Sequence, residues 1–303
     1  MGIFANPLTD LLEYEDFSRD FLKGTDPVGM TGCIDSEKVH FMSTFLGEKK
    51  VQLVVTYNEQ RAREIEEDYK LFCSQVYVIP PRDLIFFSAD LQGNAIIAER
   101  MKAFAALYQN EAKVIITTID ALMSAAVPFE QLMSHVIKLK EGDELDLEKL
   151  KHDLTVMGYE RVGRVEEPGQ FTVHGGIADV YPLTMEVPVR IELWGDEIDT
   201  IRCFEPQSQR SMDQIECVSV FPAAEVIADD TARRRAVGMI KNELESQLAV
   251  FKKAKEPDKA KRLREETNRI LEALGEDVVL EAPDSYISYF YPRTVQLSEY
   301  FDE

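Results

Sequence analysis

One stretch near the start of the chain has the residue types and the spacing of a phosphate-binding loop. Residues 28–39 read VGMTGCIDSEKV, and within them Gly29, Thr31, Gly32 and Ser36 align with the pattern G-x-T-G-x-G-K-[ST]. In a working loop, backbone N–H groups wrap the phosphates, a lysine neutralises them and a hydroxyl holds magnesium. The alignment therefore marks where a nucleotide would bind if the loop were intact.

Two substitutions in this loop oppose nucleotide binding. Ile34 occupies a glycine position, and a β-branched residue resists the positive-φ conformations that glycine allows. Asp35 occupies the lysine position and would place a negative charge beside a triphosphate. The sequence therefore predicts a degenerate P-loop, with no catalytic residue and no bound cofactor. A working nucleotide hydrolase is the alternative.

The other side chains with reactive or metal-binding groups are scattered. The four cysteines form no CxxC pair and the four histidines have no ligand spacing, so we expect neither a metal site nor a disulfide framework. The first residues lack a signal-peptide pattern, and no window approaches the roughly 18 apolar residues of a membrane span. We therefore expect an intracellular, reduced protein.

The charge balance constrains the kind of partner. The chain has 303 residues, of which 34 are basic and 55 acidic, so its formal net charge is −21. Such a balance disfavours binding to a phosphate backbone or to an anionic membrane surface, because both depend on Lys and Arg. The run 252–264 holds seven basic and two acidic residues and could contact nucleic acid. We expect it instead to be one charged face of a long solvated helix.

Residues 1–127 alternate short apolar strands with helices. The runs Val51–Tyr57, Val76–Pro80 and Lys113–Thr118 are typical of strands that are buried on both faces of a parallel sheet. Helical patterns cover Asn58–Phe72 and Ala95–Gln109 between them. This order predicts βαβ units in a doubly wound α/β layer.

The pattern changes in residues 128–217, which we interpret as a small inserted α+β domain. A helix is predicted over Asp146–Met157, closed by Gly158 at a C-terminal cap position. Four short alternating strands follow and predict an antiparallel meander: Gln170–His174, Ile177–Tyr181, Val187–Trp194 and Glu197–Phe204. Residues 218–303 contain a long charged helical region over about 231–274, and we expect them to rejoin the first domain.

The two-residue period of the meander separates an apolar face from a polar one. Phe171, Val173, Val189, Ile191 and Leu193 share the first face, which can pack on the Asp146–Met157 helix. The opposite face should present five residues to solvent: Thr172, His174, Arg190, Glu192 and Trp194, the chain's one tryptophan. Trp and Arg are enriched at binding hot spots, so this face is a candidate interface. Two alternatives are a solvated Arg190–Glu192 ladder and a half-buried Trp194.

Five segments of the sequence carry a specific resemblance to a known family. The chain resembles the N-terminal region of the bacterial transcription-repair coupling factors, the Mfd family, a region that is itself similar to the excision-repair helicase UvrB. The segments that carry the resemblance are GMTGCIDS, PPRDLIFFSADLQGNAIIAERMKAF, KVIITTIDAL, GYERVGRVEEPGQFTVHGGIADVYP and VPVRIELWGDEIDTIRCFEPQSQRS. Together they cover essentially the whole chain.

The resemblance implies a fold and a function. The fold would be a RecA-like, helicase-like α/β lobe with a degenerate P-loop, formed by residues 1–127 and 218–303 and interrupted by the inserted domain 128–217. That domain would be the docking site for UvrA, through His174, Arg190 and Trp194, with Thr172 and Glu192 beside them. His174 and Trp194 stand where the family usually has arginine and phenylalanine. The chain would then be a non-catalytic adaptor that recruits UvrA to a stalled RNA polymerase in transcription-coupled nucleotide excision repair.

The same resemblance assigns the remaining partners to other parts of a longer protein. ATP and magnesium would be bound by a translocase module that this chain lacks, and RNA polymerase and DNA would be contacted only through absent parts. No membrane partner is expected. Such a protein would be bacterial and cytoplasmic, and associated with the nucleoid when active.

The alternative within the same group is a nucleotide-binding, UvrB-like helicase lobe that acts on damaged DNA. UvrB-like helicases carry an aromatic-rich hairpin that separates DNA strands, but the corresponding stretch here, Pro81–Ala98, has only Phe86 and Phe87. The chain also stops at Asp302-Glu303, where a degenerate Walker-B-like acidic pair would fall. We therefore favour the coupling factor and expect the chain to be a piece of a longer one.

Overall fold

The fold consists of two compact units, seen in a computed structural model that describes residues 8, 10, 14–24, 27–47, 51–82, 91–227, 229–275 and 286–301. The first unit lies within residues 1–82 and 102–124, and the second within residues 83–101 and 125–303. The predicted boundaries at residues 127 and 217 divide the chain more finely and stay a prediction. Phe86, Phe87 and Asp302-Glu303 lie outside the described residues.

A three-stranded parallel sheet organises the first unit. The elements up to residue 124 are, in chain order, α1 (Tyr14–Lys23), α2 (Asp35–Ser43), β1 (Gln52–Thr56), α3 (Glu59–Lys70), β2 (Val76–Ile79), α4 (Leu91–Tyr108), β3 (Val114–Thr118) and α5 (Ile119–Leu122). The strand order is β1-β3-β2, and both pairings are parallel. The predicted βαβ pattern is therefore confirmed for this part of the chain.

Helix α3 shows why the sequence folds this way. The Asn58 side chain accepts a hydrogen bond from the Arg61 N–H and so caps the start of the helix. Ala62, Ile65 and Tyr69 recur at helical spacing and are buried. They pack in one apolar cluster with residues of β2 and β3, among them Val78 and Ile116.

The prediction that all three strands are buried on both faces is wrong for β1. Every residue of β3 is buried, but Leu53 and Val55 on β1 are 37% and 43% exposed. Strands β1 and β2 both lie at edges of the sheet, but β2 is largely buried whereas β1 alternates between half-buried and exposed residues, so one face of β1 is open to solvent. A run of apolar residues alone does not distinguish these two situations.

The second unit contains a larger, mostly antiparallel sheet. Its elements are β4 (Ala125–Ala126), α6 (Phe129–Met133), β5 (Ile137–Lys140), α7 (Leu147–Val156), β6 (Glu160–Arg161), β7 (Gln170–His174), β8 (Ile177–Val180), β9 (Val189–Trp194), β10 (Glu197–Phe204), β11 (Ser211–Ile215), β12 (Cys217–Val220), α8 (Asp230–Ala254), α9 (Pro257–Gly275), α10 (Ile287–Phe290) and β13 (Val295–Gln296), followed by a 3-10 helix (Leu297–Phe301). Six strands form a sheet in the order β11-β10-β9-β8-β7-β6.

The predicted meander is confirmed, and two strands extend it. Strands β7 to β10 pair antiparallel with their neighbours in the predicted order. The sequence did not predict β11, which continues the antiparallel pairing, or the short β6, which pairs parallel to β7. Two further two-stranded sheets pair β12 with β5 and β13 with β4.

Helix α7 closes the apolar face of the six-stranded sheet, as predicted. Leu150 and Leu154 of the helix lie in one buried cluster with residues of β7 to β10, including Phe171, Val180 and Ile191. Asp146 caps the helix by accepting from the N–H groups of Glu148 and Lys149. Burial of this face leaves only the opposite face of the sheet for contact with another molecule.

The long charged helix predicted over about 231–274 is instead a hairpin of two helices. Helix α8 ends where Lys255 adopts a left-handed conformation with φ 57°. Helix α9 begins two residues later at Pro257, a residue that suits the first turn of a helix because its missing N–H is not needed there. None of the described helices is both long and apolar enough to cross a membrane.

A buried ion pair joins two distant segments of the second unit. Arg100 on α4 donates to Glu225, with Nε–Oε1 and Nη2–Oε2 distances of 2.5 Å and 3.1 Å. Both side chains are almost completely buried. Because removing one partner of such a pair leaves a buried charge uncompensated, this contact fixes the segment after β12 against residues 91–101, the part of α4 that belongs to the second unit.

We predict that Gly158 is the least replaceable of the second-unit glycines whose surroundings the structure describes. Its φ is +91°, and a Cβ atom there would lie 2.8 Å from the Cβ of Ala224 and 3.3 Å from the Ala224 nitrogen. Gly158→Ala should lower the free energy of unfolding by about 2–4 kcal/mol, the sum of backbone strain and overpacking. Urea unfolding followed by circular dichroism measures this loss.

Gly142 supplies the matched control for this prediction. Its φ is +87°, but a Cβ atom there would meet only the Glu197 Oε1 atom, at 3.9 Å. Gly142→Ala should therefore cost only the backbone strain, about 1 kcal/mol. Equal losses in the two variants would contradict a role for the contact with Ala224.

Candidate functional site

The polar face of the six-stranded sheet is organised in rows of cross-strand neighbours. One row runs Thr172–Asp179–Arg190–Arg202–Gln214, and the next runs His174–Ile177–Glu192–Thr200. Trp194 follows at the end of β9, opposite Glu197. The pairing thus brings all five predicted site residues to one face, as the two-residue period requires.

Arg190 is held rigidly in the first row. Its Nε and Nη2 atoms each donate to one Asp179 carboxylate oxygen at 2.8 Å. The guanidinium carbon also lies 4.8 Å from the centroid of the Phe204 ring, and Nη2 reaches the Gln209 Oε1 atom at 3.4 Å. The hydrogen bond with Asp179 raises the pKa of Arg190 above its ordinary value. The side chain is therefore a fixed positive charge, 22% exposed.

A second small apolar cluster covers one end of this face. It consists of Val165, Tyr181 and Phe204, which are buried, with Val162 packed against them. Gln209 ties the two covering segments together, because its Nε2 atom donates to the Val165 and Pro206 carbonyls at 3.1 Å and 2.7 Å. These residues therefore bury part of the polar face.

The prediction that Thr172 faces solvent is therefore wrong. Thr172 is only 6% exposed, and so is its cross-strand neighbour Asp179. The alternation of the strand places Thr172 on the predicted face, but side chains from the segments before β7 and after β8, from β10 and from the segment after it pack over that end of the face. A strand period assigns a face and cannot show what covers it.

The other end of the face is open. Trp194 is 85% exposed and Ile177 is 40% exposed, so two large apolar side chains lie in solvent on the same face. His174 is exposed as well, and Glu192 is half-buried, with an oxygen that accepts from the Thr200 hydroxyl at 3.2 Å. We call His174, Ile177, Glu192 and Trp194 the rim.

The structure decides both alternative interpretations of this face. Trp194 is not half-buried core, because most of its surface is accessible. Arg190 and Glu192 do not form a solvated ladder with each other, since Arg190 pairs with Asp179 and Glu192 contacts Thr200. The face therefore combines a partly buried, fixed cation with a rim that exposes two large apolar side chains, Ile177 and Trp194.

Sequence reasoning missed three residues that shape the site, namely Asp179, Phe204 and Gln209. Asp179 could have been found, because the tight Gly175-Gly176 turn fixes the register of β7 and β8 and places Asp179 opposite Thr172. Phe204 and Gln209 had no such signal, because their contacts with Arg190 depend on how the segment after β10 folds back.

The loop with P-loop spacing is exposed and leads into α2. Gly29, Thr31, Gly32, Asp35 and Ser36 are all exposed, and Gly32 has φ +84°. The Ile34 N–H, at the start of the helix, donates to the Glu37 carboxylate at 3.0 Å. The Asp35 carboxylate lies 3.4 Å from both Lys38 Nζ and Arg61 Nη2. Protein carboxylates thus occupy the helix start, where a phosphate would have to bind.

A search for metal ligands gives no candidate centre in the parts of the chain that the structure describes. Nowhere among those residues do three or more His, Cys, Asp or Glu side chains gather closely enough to hold an ion. The four cysteines are free thiols.

Comparison with known proteins identifies the second unit's sheet. A family model described as the UvrB interaction domain matches residues 137–225, which run from β5 to the buried Glu225. The transcription-repair-coupling factor of Bacillus subtilis (strain 168) is 29% identical over 302 residues, covering 97% of this chain and 25% of the relative. The chain matches the N-terminal region of the transcription-repair-coupling factors.

Two further relatives support this match. The transcription-repair-coupling factor of Staphylococcus haemolyticus (strain JCSC1435) is 32% identical over 258 residues, which cover 84% of this chain and 21% of the relative. That of Staphylococcus aureus (strain Mu50 / ATCC 700699) is 30% identical over 305 residues, which cover 96% of this chain and 25% of the relative. The chain thus spans about a quarter of the length of these coupling factors. Its UvrB-like domain contains the whole polar face.

We predict that Trp194 reports directly on this face. It is the one tryptophan of the chain, so the intrinsic tryptophan emission arises from a side chain that is 85% exposed. The emission maximum of the native protein should lie close to that of the urea-unfolded chain, and acrylamide should quench both to a similar degree. A native emission strongly shifted to the blue, or protected from acrylamide, would contradict the exposed position.

Proposed function

We propose that this chain is a non-catalytic adaptor whose rim binds UvrA, and that it serves to recruit UvrA to a stalled RNA polymerase in transcription-coupled nucleotide excision repair. One observation carries the proposal: Trp194 and Ile177 are both exposed on one face of the domain that matches the UvrB interaction domain. The match to coupling factors gives the repair context.

The energetics of the rim favour a protein partner. Fully burying a large apolar side chain contributes about 1.5–3 kcal/mol, and tryptophan is among the residues most often found at binding hot spots. Trp194 gains little of this free energy of burial in the free chain, because 85% of its surface stays in water. A partner that covers Trp194 and Ile177 would gain this free energy on binding.

Arg190 contributes in a different way from Trp194. It is anchored by Asp179 and Phe204 and partly exposed, so it offers its remaining N–H groups from a fixed position. A pre-ordered donor loses little side-chain entropy on binding. We therefore assign Arg190 the role of a positioned hydrogen-bond donor beside the apolar rim.

The charge of the chain is consistent with this assignment. With a net charge of −21, the chain as a whole repels nucleic acid, whereas complementary basic surfaces on a protein would be steered toward it. We propose that RNA polymerase, ATP and magnesium, and the DNA on which a translocase would act, are contacted by regions that lie beyond this chain in the longer coupling factors, and that the protein works in the bacterial cytoplasm, at the nucleoid.

We also propose that the loop over residues 28–39 is a degenerate P-loop that binds no nucleotide. Asp35 is engaged with Lys38 and Arg61, and Glu37 accepts from the Ile34 N–H, so carboxylates stand where phosphate oxygens would be needed. A triphosphate would have to approach these carboxylates against like-charge repulsion.

The first prediction concerns UvrA binding. Isothermal titration of the full chain with purified UvrA from Bacillus subtilis should give saturable binding, and Trp194→Ala should weaken it by a factor of about 30 or more, as expected for a hot spot of about 2 kcal/mol. Arg190→Ala should also weaken it. Asp179→Asn, which leaves Arg190 in place but loosens its anchor, should have an intermediate effect.

Leu71→Ala is the matched control for the loss of an exposed apolar side chain. Leu71 is 74% exposed and belongs to the first unit, not to the sheet that carries the rim. Its substitution should leave UvrA affinity unchanged. Unaltered affinity in both Trp194→Ala and Arg190→Ala would refute the assignment of the site, and the absence of binding by the parent chain would refute the adaptor role.

The second prediction concerns the degenerate loop. Titration of the chain with fluorescently labelled ATP in the presence of magnesium should give no saturable binding up to about 1 mM. A site with a Kd of about 1 mM, which corresponds to a binding free energy of only about −4 kcal/mol, would already be half occupied there. Micromolar binding that requires magnesium would instead favour the nucleotide-binding helicase lobe.

A further inference from the structure

The tip of the α8–α9 hairpin is a concentrated basic surface on an acidic protein. The tip, residues 252–264, carries seven basic side chains and two acidic ones. All seven basic residues are exposed, and they flank the left-handed turn at Lys255: Lys252, Lys253, Lys255, Lys259, Lys261, Arg262 and Arg264. The turn therefore gathers on one protrusion the charge that a single straight helix would have spread along its length.

Most of these cations are available to a ligand. Lys259 is paired with Glu256 at 2.9 Å, and Lys261 lies 3.9 Å from Glu265. The described part of the chain offers no ion pair within 4.0 Å to the other five, which are Lys252, Lys253, Lys255, Arg262 and Arg264. Exposed lysines and arginines of this kind keep their charge at neutral pH.

The tip lies far along the hairpin from the hairpin's buried residues. The buried residues of α8 are Ala236 and Ile240, in its first half, and α9 has Thr267 and Leu274 buried, beyond the tip. At 1.5 Å per residue, Lys252 lies roughly 18 Å along the helix from Ile240. The Debye length at physiological salt is about 8 Å, so the acidic body is largely screened at that distance.

The composition of the tip indicates which kind of anion it fits. It contains no aromatic residue to stack on unpaired bases and no Asn or Gln to read base edges. Long flexible cations alone suit a regular array of phosphates, such as the two backbones that border the wide major groove of B-form DNA. We propose that the hairpin tip binds double-stranded DNA through its phosphate backbone, without sequence preference.

This proposal is independent of the UvrA assignment, because the tip lies on α8 and α9 and the rim lies on β7 to β9. It also modifies the inference drawn from net charge. The total of −21 describes the whole chain, but binding of a duplex depends on the local field within about one Debye length of the contact.

The test is fluorescence anisotropy with a labelled DNA duplex of about 25 base pairs and the full chain, over salt from about 50 mM to about 200 mM. The parent should bind at about 50 mM salt with a Kd of about 1–100 µM, in the range of non-specific binding. A variant that combines Lys252→Gln, Lys253→Gln and Lys255→Gln should bind the duplex at least about tenfold more weakly. The slope of log K against log[salt] should become shallower by about 2–3, because each lost phosphate contact removes about 0.9 from its magnitude.

The matched control removes three exposed lysines elsewhere in the second unit: Lys140→Gln, Lys149→Gln and Lys241→Gln. It has the same net charge as the tip variant and should bind nearly as the parent does. Thermal unfolding followed by circular dichroism should show that both variants are folded, since all six side chains are exposed.

Three results would overturn the proposal. The first is no binding by the parent at about 50 mM salt, where counterion release is most favourable. The second is an equal loss in the control variant, which would make net charge rather than the tip responsible. The third is displacement of the duplex by polyglutamate or by a single-stranded oligonucleotide at equal or lower concentration, which would assign the tip to an acidic protein surface or to unpaired strands.

Discussion

Asp179 and Arg190 stand opposite each other on neighbouring strands, and their two hydrogen bonds of 2.8 Å set the character of the whole polar face. An arginine without this partner would extend into solvent as a mobile charge. Because the carboxylate fixes it, the guanidinium lies over Phe204 and reaches Gln209, so the loops on either side of it close over that end of the sheet. One ion pair thus divides the face into a covered end and an open rim.

The two faces of the sheet depend on each other through the same strands. Helix α7 covers the apolar face of β7 to β10, and the register that buries this face also places Asp179 opposite Arg190 and Trp194 opposite Glu197. A shift of one residue in any strand would exchange the faces. The exposure of Trp194 is therefore a consequence of how firmly the opposite face is buried.

Charge in this protein has to be considered by location. The acidic total suggests a molecule that avoids nucleic acid, but the α8–α9 hairpin gathers lysine and arginine at a tip that is held beyond the reach of the acidic body. The turn at Lys255 and Pro257 produces this arrangement. Two surfaces of different chemistry thus occupy separate parts of one unit: a rim that exposes Ile177 and Trp194, and a tip that is basic.

The sequence by itself determined the elements whose signal is local. Local patterns predicted the parallel strands, the helix α7 closed by Gly158, and the meander that carries Arg190 and Trp194 on one face. The tertiary structure alone decided which of those residues reach solvent. Thr172 is buried, Trp194 is open and Arg190 is anchored, because these outcomes depend on cross-strand partners and on the side chains of other segments that pack over the face. A strand period is set by backbone geometry, whereas burial is set by whatever packs on top of it.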